Sequence, residues 1–314
     1  MITWRFKSFV STAYFALATL TTPQALANTV SVLTPRTDGG YEEIVDALRQ
    51  EIAKSPGWKF HIDITPTSIT APIQKLPEDT AIVITVGLQA TQYAITNSDQ
   101  RIPILSVLLP RVSFEALTVD KPSTRKISAI FIDQPPSRQL ELLRTVLPAA
   151  RVIGIVVGPS NGRDVEALRA LASNRGLTVI AEQAARDTEL YPVLQSVLRA
   201  SDVLLALPDP YIINVSTAQN LLLTSFRFRV PVIGHSAAYV RAGALAAVYS
   251  TPRQIGVEAS QLIRQFIRNG TLPQPKYPRL FTVSINQQMA DSLGYTISDD
   301  KSITQRLQQI EGTE

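Results

Sequence analysis

Short runs rich in Val and Ile, each followed by a longer segment with a helical repeat of apolar residues, alternate along the chain from Thr29 almost to its end. A run of five to eight apolar residues bounded by Gly, Pro or polar clusters reads as a strand buried on both faces, and the amphipathic segment after it reads as the helix that covers it. Strands buried on both faces belong to parallel sheets, so this alternation predicts βαβ units. TVSVL (29–33) precedes YEEIVDALRQEIA, KFHIDIT (59–65) follows, AIVITV (81–86) precedes LQATQYAIT, and IPILSVL (102–108) closes a first series.

The pattern lapses between Leu109 and Ser128, a polar stretch with Pro110 and Pro122 that reads as a crossing. A second series then starts with SAIFID (128–133) and continues through RVIGIVVG (151–158), LTVIAEQ (177–183), SDVLLALP (201–208), PVIGH and ALAAVYS, with helical segments between. Two series joined by a crossing predict an α/β fold of two Rossmann-like, doubly wound lobes with a central cleft, and ligands of such sheets bind at the carboxyl ends of the strands. PRQIGVEASQLIRQFIRNG reads as a long helix, with Pro252 in its first turn and Gly270 beyond its basic last turn. The polar tail from Ser298 to Glu314 is expected to fray.

The first 27 residues carry Arg5 and Lys7 ahead of an apolar run and end on Ala25, Leu26 and Ala27. This reads as a cleaved secretory signal, with a membrane anchor as the competing reading although the run from Ser8 to Leu20 is short for a span, and the signal reading puts the mature start near Asn28 and the destination in a Gram-negative periplasm. The chain has no cysteine, which excludes disulfides, thiolate metal sites, cysteine nucleophiles and the acylated cysteine of a lipoprotein. Net charge is +4, and the leader takes two of those charges with it, leaving too little basicity for a nucleic-acid partner.

Chemistry is sparse. His61 and His235 lie in no metal-binding pattern, and no metal is expected. No nucleophile elbow, Walker loop or glycine-rich dinucleotide turn follows a strand, so no cofactor and no enzyme activity are expected. The acids at strand ends, Asp133 and Asp209, have no second acid or base at a fixed spacing. What recurs is a polar or aromatic residue just after a strand: Thr34 and Arg36, Gly87 and Gln89, Ser160 and Asn161, Asp209 and Tyr211, His235, and Tyr249. Helix N-termini at these points expose N–H groups suited to a carboxylate, and an aspartate with an aromatic ring suits an ammonium and a flat apolar face. Helix capping by Asp209 and Asn161 is the competing reading.

QLELLRTVLPAARVIGIVVGPSN, LLALPDPYI, PVIGHSAAYVRAGALAAVYSTPRQIGVEASQLI and TVSINQQMADSLGYTI succeed one another in an order and spacing that resemble the periplasmic ABC transporter substrate-binding proteins, a family that includes tryptophan- and tyrosine-binding members. The resemblance implies a type I periplasmic binding fold with three crossings and a ligand clasped by hinge closure. It implies lobe 1 at 28–126 plus 251–279 and lobe 2 at 127–250 plus 280–297. It carries cleft positions onto Gly87 and Gln89, Ser160 and Asn161, and Asp209. The chain departs from the family at LLPRV (108–112), where Thr-Asp-Pro is common, and at its first loop; Arg111 and Arg36 therefore either favour an anionic ligand or face solvent. The implied partners are a small solute, possibly an amino acid or related carboxylate, and an inner-membrane permease with its ATPase, with the receptor a monomer. A periplasmic signalling or assembly partner with a degenerate pocket is the alternative.

Overall fold

The computed structural model describes residues 28–66, 76–119, 125–159, 162–209, 212 and 215–313. The alternation in the sequence becomes two sheets. The first holds β1 (Thr29–Thr34), β2 (Lys59–Ile64), β3 (Thr80–Val86), β4 (Ile104–Leu109) and β5 (Ile127–Phe131) in the order β2-β1-β3-β4-β5, parallel throughout. The second holds β6 (Val152–Val157), β7 (Thr178–Gln183), β8 (Val203–Leu205), β9 (Val232–Gly234), β10 (Ala246–Tyr249) and β11 (Thr282–Ile285) in the order β11-β10-β9-β8-β6-β7, with only β11 antiparallel.

Side-chain alternation along the strands explains why both faces of each sheet are covered. Val30, Val32, Ile82 and Ile84 enter one lobe-1 core beneath α1 (Gly39–Ile52) and α9 (Pro252–Asn269), whereas Leu33 and Val83 enter the opposite one beside α2 (Leu88–Asn97). In lobe 2, Ile153, Ile155 and Val157 join a core with residues of α4 (Pro136–Val146) and α5 (Gly162–Ser173). Val156 points the other way, to the core formed with α6 (Asp187–Arg199) and α7 (Val215–Arg227). The contact of α9 with α1 in lobe 1 depends on Gly256, where a Cβ would lie 2.7 Å from that of Ala47 and 3.2 Å from the Ile44 Cα, so α9 settles directly on α1.

Two expected boundaries move. The stretch from Leu109 to Ser128 is not a crossing: α3 (Arg111–Thr118) occupies its first half, and residues 120–124 lie outside those described. β5, expected to open lobe 2 at residue 127, pairs instead with β4 from Ile104↔Ile127 to Leu109↔Phe131, with a register shift between Val107 and Leu109, and completes the first sheet, where Ile130 is buried on one face and Ala129 and Phe131 on the other. The first crossing therefore runs from Ile132 to Pro135. The second joins β10 to α9, and the third joins α9 to β11.

The tail does not fray either. Asp299 accepts from the backbone N–H groups of Lys301 and Ser302 and starts α11 (Asp300–Thr313), whose Ile303 and Leu307, one turn apart, are buried in the lobe-2 core.

The topology fixes how the lobes meet. The first crossing leaves the carboxyl end of a lobe-1 strand, the second leaves the carboxyl end of a lobe-2 strand, and each enters the start of a helix. The carboxyl edges of the two sheets therefore adjoin at the hinge, where doubly wound folds place their ligands.

Candidate ligand cleft

The lobe-1 edge of the cleft is made largely of backbone and self-satisfied side chains. Thr34 ends β1 fully buried, its hydroxyl donating to the Arg36 carbonyl at 2.7 Å. Arg36 lies outside, 64% exposed, paired with Asp38 at 3.0 Å and lying over the Tyr41 ring. Gly87 follows β3 with φ +88°, a left-handed backbone that glycine alone adopts easily, and it starts α2 with no side-chain cap. Gln89 donates from Nε2 to the Pro66 carbonyl at 3.3 Å, joining the ends of β2 and β3.

Lobe 2 spends more polar chemistry inside. Asp209 is buried after β8; its Oδ2 accepts from the Gly158 N–H at 2.7 Å and its Oδ1 from the Ile212 N–H at 3.3 Å. One carboxylate thus ties the turn after β6 to the turn after β8, and these two hydrogen bonds aim both of its oxygens at backbone. His235 follows β9 with its ring 4.8 Å from that of Tyr239. Burial pushes the imidazole down to about 4 against a weaker upward pull from a hydrogen bond with the Ala206 backbone. Its Nδ1 and the Tyr239 hydroxyl are both buried without a hydrogen-bond partner. Tyr249, at the end of β10, shares a hydrogen bond of 2.9 Å with Ser284 on the neighbouring strand. Ser160, Asn161 and Tyr211 lie outside the described residues.

The structure thus brings the loops of Asp209 and Gly158 together, and it leaves Arg36 on the surface with its own counter-ion. It also adds a group at the hinge that the candidate set lacks. Asp133, just past β5, accepts from the Arg111 N–H at 2.7 Å and so caps α3 from another strand. Burial pushes its carboxyl up to about 6, in spite of that hydrogen bond and the nearby Arg111 charge. The Arg111 guanidinium pairs with Glu115 at 2.5 Å. The Phe114, Phe131 and Tyr277 rings pack edge to face in series, linking α3, β5 and the third crossing. Burial also raises the Tyr277 hydroxyl above its usual value. A crevice of about 30 Å³ lies between Asp133, Gln139, Leu168, Leu207, Pro208 and Tyr277, enough for a water or two. The signal was present in the sequence: FIDQPPSRQ sets Asp, Gln and Arg around two prolines where a strand ends.

A larger hollow, about 870 Å³, opens beside Asn28, Trp58, Thr80, Ile102, Phe266 and Gly270. It lies at the amino ends of the lobe-1 strands, away from the edge where such sheets bind ligands, so we place the candidate site in the cleft. Among the described residues no group of His and acidic side chains is arranged to hold a metal, and no helix is long and apolar enough to cross a membrane.

Residues 28–306 match the family model of the ABC transporter substrate-binding proteins. The fold is similar to that of a Streptococcus pneumoniae ABC domain solved with L-Trp, at 18% identity and TM-score 0.63, over 88% of this chain and 97% of that one. A conserved domain protein of Vibrio cholerae is similar at 19% identity and TM-score 0.63, over 89% and 98% of the two chains. A ligand-free, open substrate-binding protein with adhesive properties from Clostridium difficile is similar at 18% identity and TM-score 0.65, over 86% and 96%. No curated protein sequence matches the chain. The family match spans most of the length, and the chain belongs to the ABC transporter substrate-binding protein family, a non-enzymatic class with the type I periplasmic binding fold.

Proposed function

We propose that, as a member of that family, the chain is an exported periplasmic receptor that clasps a small solute carrying a carboxylate between its lobes and hands it to an inner-membrane permease driven by an ATPase. An amino acid is the ligand class best supported. The observation that carries this reading is the start of α2. It lies at the carboxyl end of β3, on the edge facing the other lobe, and Gly87 leaves its first N–H groups with no side-chain cap. Such a helix end favours an anion through both unpaired donors and the helix dipole. Leu88 beside it is exposed and offers apolar surface to the rest of a ligand. The fold-level similarity to a protein solved with L-Trp agrees with this class.

A thermal-shift series on the chain from Asn28 onward, against amino acids, small carboxylates, nucleosides and sugars, tests the reading. A ligand at about 100 times its Kd adds about 2.7 kcal/mol of stability and raises Tm. A rise confined to amino acids or carboxylates is the expected result. A rise with sugars alone would overturn the ligand class, and a flat response from folded protein would overturn the receptor reading in favour of a signalling or assembly partner.

A further inference from the structure

All three crossings are joined to one buried arginine, and that arginine is joined to the last helix. Arg138, in the first turn of α4 and 4% exposed, donates through Nη1 to Gln134 Oε1 on the first crossing at 2.5 Å and to the Pro278 carbonyl on the third at 3.0 Å. Gln134 donates through Nε2 to Ser250 Oγ on the second crossing at 3.0 Å, and the Ser250 hydroxyl donates to the Leu280 carbonyl on the third at 2.5 Å. The outer edge of the guanidinium forms a two-pronged pair with Glu311, Nε to Oε1 at 2.5 Å and Nη2 to Oε2 at 2.8 Å, and its carbon lies 3.9 Å from the centroid of the Phe281 ring. From the lobe-1 side, Glu258 of α9 accepts from the Arg279 and Leu280 N–H groups at 2.5 and 2.6 Å, so the third crossing is gripped by both lobes.

We propose that α11 is a brace on the hinge and that Glu311, acting through Arg138, is a positioning residue that fixes the resting angle between the lobes. A guanidinium with so little solvent needs a carboxylate to offset its lost hydration, and Glu311 is the acid that meets it. The planar fork ties direction as well as charge: with Glu311 holding one edge, the other edge faces Gln134 and Pro278. Without Glu311 the cation turns toward water and its bonds to the first and third crossings loosen together. α11 packs on both β11 and α4, the elements that the third and first crossings enter, so its place in the fold fits a brace.

The absence of cysteine makes the test direct. Gln50→Cys on α1 and Ala167→Cys on α5, both exposed, take spin labels that report the distance between lobes in the ligand-free full chain. Glu311→Gln is expected to broaden that distance distribution, with circular dichroism and the urea transition retaining the fold, and Glu311→Asp to fall between. An unchanged distribution in folded Glu311→Gln overturns the proposal. Arg138→Lys, which keeps a cation beside Glu311 but loses the fork, must broaden it too, and failure there has the same meaning should Glu311→Gln not fold. A second arm rests on the receptor reading: Kd for a ligand found by thermal shift rises several-fold in Glu311→Gln, because the binding-competent arrangement is a smaller fraction of the ensemble. Lack of any ligand would count against that reading alone, since the distances are measured without one.

Discussion

At the edge where the lobes meet, the first lobe presents Thr34, Gly87 and an outward Arg36, and the second presents Asp209, His235 and Tyr239. The first set settles its polar groups locally or in solvent: Thr34 on the next loop, Arg36 on Asp38, and the α2 N–H groups left for whatever enters the cleft. The second set commits its polar groups to burial, with a carboxylate holding two turns and an imidazole kept neutral. Lobe 1 therefore leaves backbone donors uncapped at its edge at low structural cost, whereas lobe 2 has stability invested in the shape of its edge.

The largest effect that can break this contrast comes from Asp209. Changing Asp209→Ala leaves the Gly158 and Ile212 N–H groups, both on buried residues, without their acceptor, and is expected to cost about 3 kcal/mol by urea denaturation. Thr34→Val keeps the shape and frees a carbonyl on the largely exposed Arg36, so about 1 kcal/mol or less is expected. Equal losses would remove the distinction between the edges. Asp209 is expected to matter to ligand affinity through the placement of the two loops it joins.

An effect of opposite sign in two variants comes from pH. His235 titrates near 4 in the fold against about 6.5 unfolded, so its contribution to stability is complete above pH 6.5 and is lost as pH falls through 4. Asp133 titrates near 6 in the fold, above its usual 3.8, so its contribution is complete below 3.8 and is lost as pH rises through 6. Asp133 is faced by Arg111, Glu115 and Tyr277, and His235 by Tyr239. The two groups oppose each other between pH 4 and 6. Asp133→Asn should therefore steepen the loss of stability on acidification, and His235→Gln should flatten it, in urea midpoints compared with the parent chain from pH 7.5 to 4. Identical profiles for all three proteins would show that neither burial shift is real.

How much of this the sequence foretold follows from the range of each interaction. The two sheets were legible because a parallel strand declares itself in consecutive residues such as AIVITV and RVIGIVVG, and the Thr251 capping box and Gly270 frame α9 within one segment. The lobe of β5 is not legible locally because its partner strand lies beyond its own segment, and Pro110 gives the α3 segment the look of a linker. The tail helix is hard to read because its polar composition masks Ile303 and Leu307 one turn apart. The hinge network lay beyond local reading: Gln134 meets Ser250 across 116 residues and Arg138 meets Glu311 across 173. Position after a strand was enough to put Gly87, Asp209 and His235 at the carboxyl edges of the sheets. It could not distinguish a side chain that faces a ligand from one that, like Asp209, holds the loops.

The smallest expected effect sharpens the contrast most. Arg36 is two-thirds exposed, its partner Asp38 more so, and an ion pair between such groups contributes little after solvent screening. Contact of its guanidinium with the Tyr41 ring, 4.9 Å to the centroid, adds a modest term at an exposed site. Arg36→Ala should therefore change stability by less than about 0.5 kcal/mol. Its effect on affinity is the informative quantity. If lobe 1 recognises a carboxylate through the uncapped start of α2, Arg36→Ala changes Kd less than about threefold, and added salt leaves the difference between the two proteins unchanged. A loss of tenfold or more that shrinks with salt would mean that Arg36 leaves Asp38 for the ligand, and lobe 1 would then recognise it by a side-chain charge as well as by backbone.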